Sequence, residues 1–217
     1  VKNYLAIIFG VFCLSIVACV FYTLERHLDT QEKQWYDQHW VIMEYPVPKE
    51  ISANQETERS YFLHLTPDLQ RKYIEYFWTI RDQIDFTREE FVSRIDIANK
   101  WFRGEGLDGY LTDRGKIMLL CGQPDWLEFR DSRGNTYIEG DEQWFYNRNN
   151  KYYQQWIYWY GVGFWQQLIR LTFVYDEISG WHYLESTDTI IQGFIQYHRW
   201  KTAPTKEGWE LWRKANG

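Results

Sequence analysis

Cysteine, proline and basic charge are all scarce in this sequence of 217 residues. Three cysteines cannot build a disulfide-rich scaffold or a four-cysteine zinc site. Five prolines and 14 glycines are too few for a disordered, low-complexity chain. Lys and Arg number 24 against 30 Asp and Glu, a net charge of −6. That balance argues against a nucleic-acid partner, which is held by cations that displace phosphate counterions. The five histidines, His27, His39, His64, His182 and His198, never fall four residues apart, and no Cys or carboxylate motif frames them as metal ligands. A haem-attachment motif, a P-loop and a dinucleotide fingerprint are all missing, and Gly104-Glu105-Gly106 lacks the following Gly and the preceding strand. No metal, cofactor or small-molecule substrate is therefore expected.

Aromatic residues are abundant: 13 Trp, 17 Tyr and 13 Phe make up 20% of the chain. Long apolar runs are confined to the start. Asn3 to Leu24 carries no charge, and its apolar core runs from Tyr4 to Tyr22. As a helix rising about 1.5 Å per residue it spans roughly 28 Å, close to the thickness of a hydrocarbon core. Tyr4, Phe21 and Tyr22 sit at its ends, where amphipathic rings favour the interface. Residues 1–24 thus predict a single transmembrane anchor. Ile16-Val17-Ala18-Cys19 also fits a lipoprotein signal, with Cys19 as the lipidated residue, although the apolar run continues past it through Val20, Phe21 and Tyr22. A cleaved secretory signal usually has a shorter apolar region. Lys2 lies on one side and the far side has no basic excess, so the N-terminus is expected in the cytoplasm and the bulk in the periplasm of a bacterial inner membrane. Ala6 and Gly10 form a small-xxx-small pair that lets a second helix approach.

Residues 25–60 read as a juxtamembrane helix continuing to Trp40, ended by Pro46 and Pro48, with a polar linker from Lys49 to Arg59. Two amphipathic helices follow. Thr66, Pro67 and Asp68 open the first, with Leu69, Tyr73, Phe77, Ile80 and Ile84 on its apolar face. Thr87 and Glu90 make a capping box for the second, Phe86 and Phe91 its hydrophobic staple, and Phe91, Ile95, Ala98 and Phe102 its apolar face, with Gly104 as the stop. Lys116 to Cys121 reads as a buried strand. Further strands are expected at Trp126–Phe129, Gln143–Tyr146, Gln155–Tyr160, Gln167–Tyr175 and Trp181–Glu185. Short helices are expected from Thr189 to Trp200 and from Lys206 to Lys214. The predicted class is α+β: an N-terminal transmembrane helix, two amphipathic helices packed on a small antiparallel sheet over residues 61–188, and a helical tail over 189–217.

The middle of the chain resembles the GWxTD domain of bacterial proteins. The resemblance rests on Tyr76-Phe77-Trp78 with Arg81-Asp82, on Arg94-Ile95 with Ala98-Asn99, on Gly109-Tyr110-Leu111-Thr112-Asp113-Arg114-Gly115, and on Gly122-Gln123-Pro124-Asp125. Gln143 to Tyr146 and Arg170 to Asp176 look like two of its strands. It spans roughly Tyr61 to Glu185, with Tyr110 in place of the naming Trp. It implies a secreted or membrane-attached bacterial protein and no established activity. The motif also reads as architecture: Gly109 at a positive φ, Thr112 and Asp113 bonding backbone N–H groups in a turn, Arg114 pairing with Asp82 or Asp113.

Nothing in the sequence frames a catalytic centre. Asp82 with Asp113 is a possible carboxylate pair, but Arg81 and Arg114 beside them favour ion pairing. Cys121 sits in an apolar run, as a buried inert thiol does. The unusual feature is the hairpin Tyr152 to Trp165, with Trp156, Tyr158 and Tyr160 on one face and Ile157 and Trp159 on the other. A small antiparallel sheet does not easily cover both faces, and an exposed apolar patch usually marks a binding surface. The partner-binding residues expected are Ala6, Gly10, Trp156, Tyr158, Trp159, Tyr160, Phe164, Trp165, Trp200, Trp209 and Trp212. The last three lie among Lys201, Lys206, Arg213 and Lys214, a mix suited to an anionic membrane surface or an acidic partner. The expected function is a non-enzymatic, single-span membrane subunit. Its periplasmic domain scaffolds a larger membrane complex of respiratory, photosynthetic or secretion type, with membrane lipid and other membrane-protein subunits as partners. A glycan-binding module is the alternative, provided the rings line a concave groove.

Overall fold

A computed structural model describes residues 28–81, 87–103, 107–130, 136–138, 153–162, 165–176, 180–185 and 189–216. The chain folds as two compact units, Val1–Asp82 with Pro204–Gly217, and Gln83–Ala203. The anchor, with Ala6, Gly10 and Cys19, lies outside the described residues. Among the described residues no helix is long and apolar enough to cross a membrane.

The first unit is helical. Helix α1 (Thr30–His39) passes into a 3-10 turn at Trp40–Ile42. It does not run on from the preceding segment: Asp29 is extended and accepts from the Gln31 and Glu32 N–H groups, while the Glu32 carboxylate returns to the Asp29 N–H at 3.0 Å. This reciprocal capping box sets a fresh helix start, and it corrects the expected continuous juxtamembrane helix. The expected polar linker is corrected too, because Thr57 caps a helix, α2 (Glu58–His64), that begins within it. Helix α3 (Pro67–Tyr76) starts where Thr66-Pro67 predicts, but it ends before Phe77, and Phe77 and Ile80 continue its buried face through a 3-10 turn at Thr79–Arg81.

A second helix of the expected tail completes this unit. We number it α7 (Lys206–Asn216), after α6 (Thr189–Lys201), which belongs to the other unit. The Thr205 N–H donates to Ile80 O at 2.9 Å, and Trp209 and Trp212 are buried. Trp212 Nε1 donates to the Tyr61 hydroxyl at 2.9 Å, and its ring meets Tyr73 edge-on at 5.1 Å. At the centre lies a fully buried ion pair. Arg81 Nη2 donates to both Glu58 carboxylate oxygens at 2.5 Å, the Tyr73 hydroxyl donates to Oε1 at 2.5 Å, and Arg81 Nη1 donates to Phe77 O at 3.0 Å.

The second unit carries the sheet. Helix α4 (Arg88–Phe102) has Thr87 as its cap and buries Phe91, Ile95, Ala98 and Phe102, as its pattern predicts. The Glu90 side chain bonds Arg94 rather than closing the capping box. Helix α5 (Asp113–Cys121) replaces the expected strand at Lys116–Cys121. The Thr112 hydroxyl accepts from the Gly115 N–H at 3.0 Å and starts the helix, and Ile117 to Cys121 are all buried. A continuous apolar run suits a buried helix as well as a buried strand, so period alone did not separate them.

Five antiparallel strands follow in the order β2-β1-β3-β4-β5: β1 (Trp126–Arg130), β2 (Thr136–Ile138), β3 (Tyr153–Val162), β4 (Trp165–Asp176) and β5 (Trp181–Leu184). The class is therefore α+β. The helices of this unit are α4, α5 and α6, and α3, expected on the sheet, belongs to the first unit. The expected strand at Gln143–Tyr146 lies outside the described residues.

Candidate functional site

The segment Gly109–Gly115 joins α4, α5 and the sheet. A Cβ on Gly109 would lie 1.9 Å from Ala98 O, and one on Gly115 would lie 1.9 Å from Gly109 O. The requirement for glycine at 109 is thus close backbone approach. Its φ is not positive, which corrects the conformational reason expected from the sequence. Thr112 caps α5. Asp113 accepts from Lys116 Nζ at 3.0 Å and from the Leu184 N–H of β5 at 3.3 Å. Arg114 is buried over the Phe102 ring, 4.6 Å from its centroid, and its Nη1 donates to Gln154 Oε1 of β3 at 3.0 Å. Asp82, the other expected carboxylate, lies outside the described residues. The described atoms of the motif are spent on packing and capping.

Cys121 is buried, and burial pushes its thiol pKa up, away from the thiolate that nucleophilic or metal chemistry needs. No cluster of three or more His, Cys, Asp or Glu able to hold a metal occurs among the described residues. Two half-buried histidines of this unit are held in the neutral form. Burial lowers the pKa of His182 to about 3, helped by the Arg114 charge, and lowers that of His198 to about 4, helped by Lys201 and Arg94. Their ordinary value is 6.5. Below that value the unfolded chain binds protons that the folded unit refuses. Stability is therefore fully present above about pH 7 and falls as pH drops from about 6.5 towards 4. Acid titration of the near-ultraviolet dichroism should show this loss. His198→Phe should remove part of it.

Among the described residues, helices pack on one face of the sheet, and the other face keeps several large rings exposed while burying Ile157. Side chains at paired positions of neighbouring strands share a face. Trp156 pairs with Leu127 and Leu171, and Tyr158 with Ile169, and all but Leu127 are buried. Trp156 packs between Phe102 and Phe173, with ring centroids 5.6 and 4.9 Å away. Tyr158 packs on Phe194 of α6, and its hydroxyl donates to Gly122 O at 3.0 Å. Trp156 and Tyr158 are thus core residues, which corrects their expected partner-binding role. Half-buried Tyr160 meets Phe194 and Tyr197.

The opposite face holds Trp126 paired with Ile157, Ile157 with Arg170, Trp159 with Leu168, Tyr183 with Val174, and Trp181 with Asp176. Trp126, Trp159, Trp181 and Tyr183 are 45, 58, 45 and 46% exposed. Four large rings half open to water on one sheet face are the most conspicuous surface among the described residues. Between them Arg170 pairs with Glu128 at 3.7 Å, and Gln155 Nε2 donates to Thr172 Oγ1 at 3.2 Å. The sequence reading found Trp159 and missed Trp126, Trp181 and Tyr183. The signal for these was alternation within their own strands, which shows the face only once strand register is known.

In the tail, Trp200 is 61% exposed, whereas Trp209 and Trp212 are core residues of the first unit, a second correction. Phe164 and the side chain of Trp165 lie outside the described residues. Comparison with family models, curated proteins and solved structures finds no match.

Proposed function

We propose that this chain is a non-catalytic, single-span subunit of the bacterial inner membrane. Its folded part lies in the periplasm and docks on another membrane-protein subunit of a larger complex. The observation that carries the reading is the open sheet face with Trp126, Trp159, Trp181 and Tyr183. Trp and Tyr are the residues most enriched at protein interfaces, where large rigid rings give contact area at little entropic cost. The uncharged run from Asn3 to Leu24 supplies the tether in this reading. Asp113 and Cys121, the described residues with nucleophilic or acid–base chemistry in view, are held in structural bonds or buried. The kinship with GWxTD-domain proteins belongs to the same proposal, with Gly109–Gly115 as its architectural junction.

The test is purification of the tagged chain from membranes in mild detergent. Partner subunits should co-purify with it. Trp126→Ser with Trp159→Ser should release them while the melting transition stays within a few degrees. A lone monomer from the unaltered chain would contradict the proposal.

A further inference from the structure

We propose that two copies of this chain join edge to edge through β4, so that their sheets become one. Strand β4 outruns its neighbour on one side. Its pairing with β3 is continuous from Val174 opposite Tyr153 to Trp165 opposite Val162, whereas β5 covers its outer side only from Phe173 to Asp176. The Glu185 N–H extends that cover by one residue, donating to Thr172 O at 2.9 Å. Thr172 therefore turns its backbone groups away from β3. In an antiparallel strand the N–H and C=O of one residue point to the same side, and the side alternates from residue to residue. Arg170, Leu168 and Gln166 consequently turn outward as Thr172 does. Among the described residues nothing bonds these outward N–H and C=O groups. Arg170 is exposed and Leu168 half-buried.

An edge of this kind is a template for another strand, and sheets commonly guard it with proline, lysine or a bulge. Trp165–Asp176 contains neither proline nor lysine, and its register with β3 has no bulge. Its cation, Arg170, is drawn back over its own sheet by Glu128 at 3.7 Å. The other edge of the hairpin is treated differently: beyond the end of β1, the outward Trp159 N–H is answered by Asp125 Oδ2 at 2.7 Å.

The open edge of β4 is complementary to itself. A two-fold axis through Leu168, perpendicular to the sheet, sets Leu168 against its own copy and Arg170 against Gln166. Each of these pairs can exchange both N–H···O bonds, and no like charges meet. Centring the contact on Arg170 would set two guanidinium groups face to face. Sliding the centre to Ile169 would set Gln166 against Thr172, whose carbonyl is already taken by Glu185. Trp159 lies beside Leu168, so the row they form runs on across the axis into the same row of the second copy. A contact between identical edges closes at two copies. Both ring faces then lie on one side of the joined sheet.

Sedimentation velocity of the full chain in detergent micelles tests this. The unaltered chain should sediment as a dimer. Leu168→Pro should weaken association about tenfold or more, because it removes the central outward N–H from both copies. That N–H does not face β3, so the near-ultraviolet dichroism should be kept. Leu168→Lys and Leu168→Glu should each weaken association about fivefold, since like charges then meet at the axis, and an equimolar mixture of the two should regain the dimer. Trp126→Ser, on the ring face and away from this edge, should leave the dimer unchanged. A monomeric unaltered chain would overturn the inference and leave the edge to a strand of another protein. A dimer kept by both charge variants, no recovery in their mixture, or a dimer abolished by Trp126→Ser would also overturn it. The inference is independent of the docking reading, which is judged by whether partner subunits co-purify.

Discussion

Replacing Arg81 with Met should cost the helical unit about 3–5 kcal/mol, because it strands the Glu58 carboxylate in a site with no access to water. That loss is a large part of the roughly 5–15 kcal/mol that holds a typical domain together. Glu58 is fully buried, and among the described residues its carboxylate is served by Arg81 and the Tyr73 hydroxyl. Removing the guanidinium leaves one donor for an anion. Glu58→Gln should also be destabilising, since it removes the carboxylate that faces the buried Arg81 guanidinium. The double variant Glu58→Gln with Arg81→Met should recover part of the combined loss, because neither charge then remains. Urea unfolding followed by Trp fluorescence checks all three, since Trp35, Trp209 and Trp212 pack on Phe77 and Tyr73 of the same core. Additive losses in the double variant would mean that the pair does not act as a unit.

The second large effect concerns the hairpin. Trp156→Ala should destabilise the sheet unit by about 3–5 kcal/mol, the range for emptying a large aromatic site in a packed core. Trp156 is fully buried between Phe102 of α4 and Phe173 of β4, so neither side can collapse freely into the space. Trp159→Ser, three residues along the same strand, should change stability by no more than about 0.5 kcal/mol. The contrast follows from strand geometry: successive side chains point to opposite faces, and among the described residues helices cover one face of this sheet. Thermal melts of the two variants check it. Similar losses in both would mean that the outer face is also packed.

Much of the helical framework was legible. Thr87 and the spacing of Phe91, Ile95, Ala98 and Phe102 placed α4 correctly, because a cap and a 3.6-residue period are local signals. Thr66-Pro67 placed the start of α3 for the same reason. The misreadings came where local signals are ambiguous or absent. Lys116–Cys121 is apolar throughout and carries no period, and the cap at Thr112 that decides for a helix was read as a turn. Asp29 and Glu32 form a capping box that a charge count across an expected membrane boundary passes over. The exclusion of α3 from the sheet unit, and the return of α7 to the N-terminal unit, are tertiary facts. No local pattern encodes that the Thr205 N–H finds Ile80 O, 125 residues away.

The candidate surface was half legible for a related reason. Aromatic residues on both faces of the Tyr153–Val162 strand fit an exposed binding face and a sheet sandwiched on both sides equally well, and the sequence does not say which face would stay exposed. Phe102, Phe173 and Phe194 decide it by packing on the Trp156 and Tyr158 side. Register then brings Trp126, Trp181 and Tyr183 onto the open side with Trp159.

Hydroxyl-radical footprinting addresses the role of that open side most directly. The chain would be oxidised in native membranes and again after detergent purification free of other subunits, and labelling compared at individual rings. Trp126, Trp159, Trp181 and Tyr183 should be shielded in the membranes and strongly labelled when purified, with Trp156 weakly labelled in both. Equal, strong labelling of the four outer rings in both states would contradict the account.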